Sequence, residues 1–498
     1  MRLHATLAVA CSLLAAAARG DEPRPLRFEP HVIQGFDGTR RQAELGLLRV
    51  PARHAQPAAS SIELAVLRLG STATAPRDPI VFLMGGPGIP ASVMAQVPVY
   101  AQLFERLRGV ADVVLLDQRG TGLSRPALEC PPREQPLGAG AYLSHGALLA
   151  EMRAELKECA AAWRAKGVDA AAYTSLENAA DVTALREALG ARHVNLLAFS
   201  YGTEVALNVI REHGDGVARA ALAGVRGPDQ LLKLPSVYDL KLRRISRLAS
   251  ASPALRGALE GGNDLASRVE RVLKAAATPF SATVADQRTQ QAVELRIGRE
   301  GLQMLLTQSL DSARFPALVV SLDMGDTRVL SRVLEPLFNG LGRGGSNLMA
   351  RAVNCTTGAS PARAARAAAE SRWALLGLPF DDLMVSSAYC RAIGPDPAPD
   401  SQIWRPFASD VPTLFVSGSL DSQTPPSQAE EVRYGFANGV HLVVENARHE
   451  TLPLAAVQDA IVDFFEGKDV SGRRLAAEPM AFLSVEDAAN QPCGPRGC

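Results

Sequence analysis

The sequence predicts an α/β fold: a doubly wound, mostly parallel sheet carrying a large, mostly helical insertion or lid. Three observations predict it. Short, continuously apolar runs, such as Pro79-Ile80-Val81-Phe82-Leu83 and Ala111-Asp112-Val113-Val114-Leu115-Leu116, alternate with helical patterns, as strands buried on both faces do. That rhythm stops between 226 and 405, where Leu, Ala and Arg recur at helical spacing, and then resumes. Midway along the first βα stretch, an apolar run ends in Ala198-Phe199-Ser200-Tyr201-Gly202 and passes into a helical pattern. A serine at such a corner, flanked by small residues, is thrust out above the sheet.

The elements follow in chain order. Met1 to Gly20 has an early arginine, an apolar run from Ala5 to Ala18 and small residues before Gly20, the pattern of a secretory signal peptide. The run is too short to span a bilayer, and no later stretch is long and apolar enough to do so. Residues 21–225 form the first part of the sheet core. Two early strands at 44–51 and 61–68 lead to the buried strand at 79–83, a helix over 91–107 and the strand at 111–116. Helices at 147–166 and 176–189, the Ser200 strand and helix, and a strand at 219–223 complete that part. The second part, 406–470, has strands at 412–417 and 440–444 and a helix at 457–465. A tail at 471–498 reads as loop.

Composition bounds function. Lys+Arg and Asp+Glu balance at 52 each, so no net field draws nucleic acid or an anionic membrane to the chain. Of the seven cysteines, Cys11 lies in the signal. The other six, Cys130, Cys159, Cys355, Cys390, Cys493 and Cys498, read as disulfides in an oxidising compartment, and neighbours in sequence suggest 130–159, 355–390 and 493–498. None has zinc-finger spacing, and His449-Glu450 lacks the second histidine of a zinc-binding helix, so no metal and no cofactor is expected. Oligomeric state is open.

A serine nucleophile needs a base, and the base needs an acid to hold its tautomer; on such a sheet the chain order is Ser, then Asp or Glu, then His. Asp421 stands in the loop directly after a buried strand, at the carboxyl end where α/β sites form. Only His441 and His449 follow it. His441 falls inside a strand and His449 in the loop after it, so His449 is the expected base. Donors for a developing oxyanion are expected from the Tyr201 N–H and from the glycine loop Gly85-Gly86-Pro87-Gly88. That loop lacks the pattern of a phosphate-binding loop.

Gly85-Gly86-Pro87-Gly88, Asp117-Gln118-Arg119-Gly120-Thr121-Gly122, Ser200-Tyr201-Gly202-Thr203 and Asp421 with Thr424-Pro425 together resemble the proline iminopeptidase branch of the α/β-hydrolase fold, and more closely its secreted tripeptidyl aminopeptidases. The resemblance implies Ser200, Asp421 and His449 as the triad and Gly86 with Tyr201 as oxyanion donors. It also implies exopeptidase activity, with lid carboxylates gripping a free α-amine. The chain departs from the pattern at Met84, Ala198 and Arg448, and Thr356-Thr357 stands where relatives often carry an acid after the lid cysteine.

The expectation is therefore a secreted or periplasmic serine hydrolase releasing short N-terminal peptides or proline-containing units. A carboxylesterase acting on small acyl esters and a non-catalytic binding protein on the same scaffold are the alternatives. Its rate should rise with pH through roughly 6 to 7, where histidine loses its proton.

Overall fold

The computed structural model describes residues 26–58, 60–132, 137–259, 264–342, 347–378, 380–394 and 401–493. The signal segment, Cys11 and Cys498 lie outside the described residues, and with Cys498 the expected 493–498 pairing.

The strands are β1 (Phe28–Gln34), β2 (Arg40–Pro51), β3 (Ser61–Leu69), β4 (Ile80–Leu83), β5 (Val113–Leu116), β6 (Val194–Phe199), β7 (Val217–Ala223), β8 (Phe280–Ala285), β9 (Ala292–Ile297), β10 (Thr413–Gly418), β11 (Gly439–Glu445) and β12 (Leu475–Ala476). Ten of them form one sheet in the order β1-β2-β3-β5-β4-β6-β7-β10-β11-β12. The pairings from β1 to β5 are antiparallel and those from β5 through β4 to β12 are parallel. The fold is thus doubly wound and mostly parallel.

Alternation within single strands builds two cores. Along β4, Val81 and Leu83 face a cluster containing Leu185 and Val205 from the helices Ser175–Ala188 and Tyr201–His213. Ile80 and Phe82 face a second cluster with Phe104, Ile461 and Phe465, from the helices Pro98–Arg108 and Ala455–Phe465. A strand covered on both faces has no polar side, which is why these segments read as unbroken apolar runs.

Four local expectations are corrected. The edge strand β1 adds to the expected set; its exposed positions, Glu29, Pro30, Val32 and Gln34, mix polar and apolar residues and only Ile33 is buried, which hides it from a search for apolar runs. The helix expected over 91–107 is two, Ala91–Met94 and Pro98–Arg108, since a proline lacks the N–H that a continuous helix would need at Pro98. Between β7 and β10 the helices are joined by the antiparallel hairpin β8–β9, whose period-two pattern is lost among its helical neighbours. The tail is not all loop: it adds β12 beside β11 and a helix, Val485–Asn490. Arg314, from the segment between the helices Arg299–Ser309 and Phe315–Asp323, donates to the Ala488 and Gln491 carbonyls and holds that last helix down.

Disulfides join Cys130 to Cys159 and Cys355 to Cys390, as sequence proximity suggested. The second ties the helix Leu348–Thr357 to the short helix Ser387–Cys390. No helix among the described residues is long and apolar enough to cross a membrane.

Candidate active site

The strand order brings the expected residues together. β4 is followed in the chain by β5 on one side and in the sheet by β6 on the other, so the connections leave this point in opposite directions and open a crevice at the carboxyl ends. The glycine loop leaves β4 and Ser200 leaves β6, its neighbour. Asp421 follows β10 and His449 follows β11, again neighbours. Only β7 separates the two pairs.

Ser200 sits at φ 54°, ψ −122°, outside the regions a side-chain-bearing residue prefers, and the helix Tyr201–His213 begins directly after it. Its N–H is tied to the Ala223 carbonyl at the end of β7. The corner is sharp enough that a Cβ on Gly202 would lie 2.1 Å from the Leu83 carbonyl oxygen and 3.1 Å from that of Met84. Backbone cannot retreat as a side chain can. Gly202→Ala is therefore expected to cost about 3 kcal/mol or more, at the upper end for overpacked sites. The check is the urea midpoint, and an unchanged midpoint would mean the elbow is looser than its geometry.

His449 Nε2 lies 3.0 Å from Ser200 Oγ, and His449 Nδ1 lies 2.8 Å from Asp421 Oδ2. To bridge them the imidazole crosses the end of β7. Gly224 makes room there: at φ 63° it carries no side chain, and a Cβ would come within 3.0 Å of His449 Cε1. The ring also packs at a tilt on Phe199, centroid to centroid 4.9 Å. His441 is elsewhere: it lies in β11 with Nδ1 on Glu430 and Nε2 on Ser417.

The Asp421 carboxylate is buried at 3% exposure. Burial opposes its charge, but the His449 imidazole and the hydrogen bonds of His449 and Thr424 outweigh that and hold its pKa below the usual value. Burial likewise disfavours the His449 imidazolium, yet the neighbouring Asp421 charge and hydrogen bond prevail and raise its pKa above 6.5.

Of the expected oxyanion donors, Tyr201 directly follows the serine, and Gly86 follows Gly85, where an added Cβ would lie 2.6 Å from Ser200 Cβ. The glycine loop is braced by a motif whose role was not legible in sequence. Gln118, after β5, donates to the Met84 carbonyl at 2.8 Å, and Asp117 accepts from the Ser92 N–H at 2.8 Å and its hydroxyl at 2.7 Å. Arg119 is buried and grips Asp181 at 2.8 and 2.6 Å and the Ala52 and Ala172 carbonyls. The signal in sequence was the motif Asp117-Gln118-Arg119-Gly120-Thr121-Gly122 itself, directly after an apolar strand.

Beneath the elbow, Tyr201 is buried; its hydroxyl accepts from the Asn178 amide and lies 3.3 Å from Ser175 Oγ, to which it donates because the Ser175 proton goes to Glu204. Glu204 collects Arg226 Nε at 2.5 Å, Ser175 Oγ at 2.6 Å and Thr357 Oγ1 at 2.8 Å. Thr356 turns its hydroxyl back to the Ala352 and Val353 carbonyls. The two threonines that stand in place of an acid are thus spent inside the protein. In the insertion, Asp381 pairs with Lys233 at 3.1 Å, both nearly buried, and the Lys233 charge opposes protonation of His449. Burial raises the pKa of the adjacent Asp382, with His145 opposing. Asp311 accepts from Ser422 Oγ at 2.8 Å and its carbonyl accepts from Arg448 at 3.0 Å, so one insertion residue braces both the acid loop and the histidine loop.

Residues 78–249 match the family described as alpha/beta hydrolase fold, and residues 379–473 match the family described as TAP-like protein. The chain has the α/β-hydrolase fold. Within that fold it is similar to tripeptidyl aminopeptidases. It is 27% identical over 197 residues to those of Streptomyces coelicolor and Streptomyces lividans, covering 38% of this chain. The match spans 36% of the length of each of these relatives. Among solved structures, a proline iminopeptidase-related protein from Thermus thermophilus is 19% identical with a TM-score of 0.36, over 86% of this chain and 96% of that chain. A thermophilic esterase from Thermogutta terrifontis is 16% identical with a TM-score of 0.37, over 84% and 98%.

Proposed function

We propose that this α/β hydrolase is an exported serine aminopeptidase acting through Ser200, His449 and Asp421. The observation that carries the reading is the His449 imidazole, with one nitrogen 3.0 Å from the serine hydroxyl and the other 2.8 Å from a buried carboxylate. Proton removal from serine and stabilisation of the resulting imidazolium both need that arrangement.

In this mechanism His449 Nε2 takes the Ser200 proton as Oγ attacks the scissile carbonyl. The Gly86 and Tyr201 N–H groups receive the oxyanion. Collapse of the adduct breaks the C–N bond, and His449 hands its proton to the departing amine. Water, deprotonated by the same nitrogen, then hydrolyses the acyl-enzyme and restores the serine. Every proton in this sequence moves through His449 Nε2.

Aminopeptidase action on short N-terminal peptides is supported by the TAP-like match over 379–473 and by the likeness to tripeptidyl aminopeptidases. Export is supported by the apolar segment before Gly20 and by two disulfides, bonds that persist in oxidising compartments. The substrate is a small peptide bearing a free amine.

The experiment compares free-amine aminoacyl and tripeptidyl anilides with their N-acetylated forms and with a short-chain nitrophenyl ester. Cleavage of the free-amine anilides, lost on acetylation, is the expected result. Cleavage of the ester alone would replace the aminopeptidase by an esterase. A pH profile on the same substrate is expected to rise through a limb above pH 6.5, because only neutral His449 accepts the proton and its pKa is raised from that value. A rate independent of pH across that limb would remove His449 as the base.

A further inference from the structure

Asp421 does not meet the histidine alone. Thr424, 4% exposed, places Oγ1 at 2.6 Å from Asp421 Oδ2 and at 3.0 Å from His449 Nδ1. The other carboxylate oxygen, Oδ1, accepts the Gln423 N–H at 2.7 Å and the Thr424 N–H at 2.9 Å. These four contacts fix where the protons are. An ionised carboxylate has none to give, so the threonine hydroxyl donates its single proton to Oδ2. A lone pair of Oγ1 is then left facing His449 Nδ1.

The opposite arrangement is disfavoured by the same distances. If the hydroxyl donated to Nδ1, that nitrogen would carry no proton, and at 2.8 Å it would face the charged Oδ2 acceptor to acceptor. The imidazole proton would also sit on Nε2, where it blocks acceptance from Ser200. The triangle of Asp421, Thr424 and His449 therefore admits one tautomer, with hydrogen on Nδ1 and a free lone pair on Nε2. Gly224 leaves the niche open, since a Cβ there would come within 3.1 Å of Thr424 Oγ1 as well as against the ring.

We propose that Thr424 is a positioning residue of this site: its hydroxyl locks the Asp421 carboxylate and shares the His449 Nδ1 proton, so that Nε2 is presented to Ser200 as an acceptor. The proposal rests on the serine-hydrolase reading above and adds a fourth side chain to it.

The test uses the mature protein with Thr424→Val, which keeps the shape and removes the hydroxyl, and Thr424→Ser, which keeps the hydroxyl and removes the methyl. On a cleaved anilide, Thr424→Val is expected to lower kcat roughly tenfold or more with KM within about twofold, as for an interaction that matters after binding. Thr424→Ser is expected to recover most of it. Proton NMR of the His449 Nδ1–H provides a readout that needs no turnover: its downfield signal should persist in the wild-type and Thr424→Ser proteins and exchange away in Thr424→Val. Equal kcat and an unchanged signal in Thr424→Val would overturn the proposal. So would a Thr424→Ser protein as impaired as Thr424→Val, because the methyl's packing would then be the cause. If the wild-type protein shows no Ser200-dependent turnover, the serine reading fails, while the NMR comparison still decides whether Thr424 orders the Asp421–His449 pair.

Discussion

Replacing Ser200 with alanine is expected to remove kcat on the order of a millionfold, leaving only what binding and oxyanion donors supply. The substitution deletes one oxygen, and that oxygen stands 3.0 Å from His449 Nε2. Everything that positions the corner stays. The backbone remains at φ 54°, held by the Ser200 N–H on the Ala223 carbonyl and by the close approach of Gly202 to β4. Folding stability should therefore be nearly unchanged, which separates loss of chemistry from loss of structure. Ser200→Gly, by contrast, should be slightly more stable than Ser200→Ala, because glycine occupies positive φ without strain. A fluorophosphonate probe should label the wild-type protein and not the alanine variant. Adding His449→Ala to Ser200→Ala should cost almost nothing further, since the two act as one unit. An alanine variant that kept more than roughly a hundredth of the activity would show that another group performs the attack.

The parts of this protein that were legible in sequence share a physical cause. Strands such as Ile80–Leu83 and Thr413–Gly418 are covered on both faces, so composition alone exposes them. Ser200, Asp421 and His449 were legible because each must follow a strand and because their order in the chain is fixed by the direction of the sheet. What was not legible depends on which strands are neighbours. Nothing near Gly224 in sequence says that an imidazole from β11 must cross the end of β7. Nothing near Gln118 says that its amide reaches Met84, since that contact exists only because β5 lies beside β4. Thr356 and Thr357 looked like a missing substrate contact, yet one bonds its own helix and the other bonds Glu204, 153 residues away. Local pattern reveals elements; it does not reveal a partner that topology delivers from the other end of the chain.

Asp421→Asn is the sharper test of the relay, because it changes a charge and a proton without changing volume. The asparagine oxygen can take the place of Oδ1 and keep the N–H groups of Gln423 and Thr424. Its NH2 group then replaces Oδ2, and a donor faces both Thr424 Oγ1 and His449 Nδ1. The histidine can satisfy that donor only by giving up its Nδ1 proton, which moves the hydrogen to Nε2. Nε2 would then donate to Ser200 instead of accepting from it. Flipping the amide restores an acceptor toward His449 but sets NH2 against two backbone N–H groups that are now within 2.9 Å of Oδ1. One orientation sets the wrong tautomer and the other keeps the right one only against two backbone donors, and in both the imidazolium loses the buried charge that raises its pKa. A fall in kcat of roughly ten-thousandfold is expected at neutral pH, with the protein folded. Phosphonate labelling should slow in parallel, since it uses the same nucleophile and base. An asparagine variant within about tenfold of wild type would mean that Asp421 does not set the tautomer. In that case the Thr424 hydroxyl, not the carboxylate, would be the group holding His449, and the Asp421→Asn/Thr424→Val double variant would lose what either single variant retained.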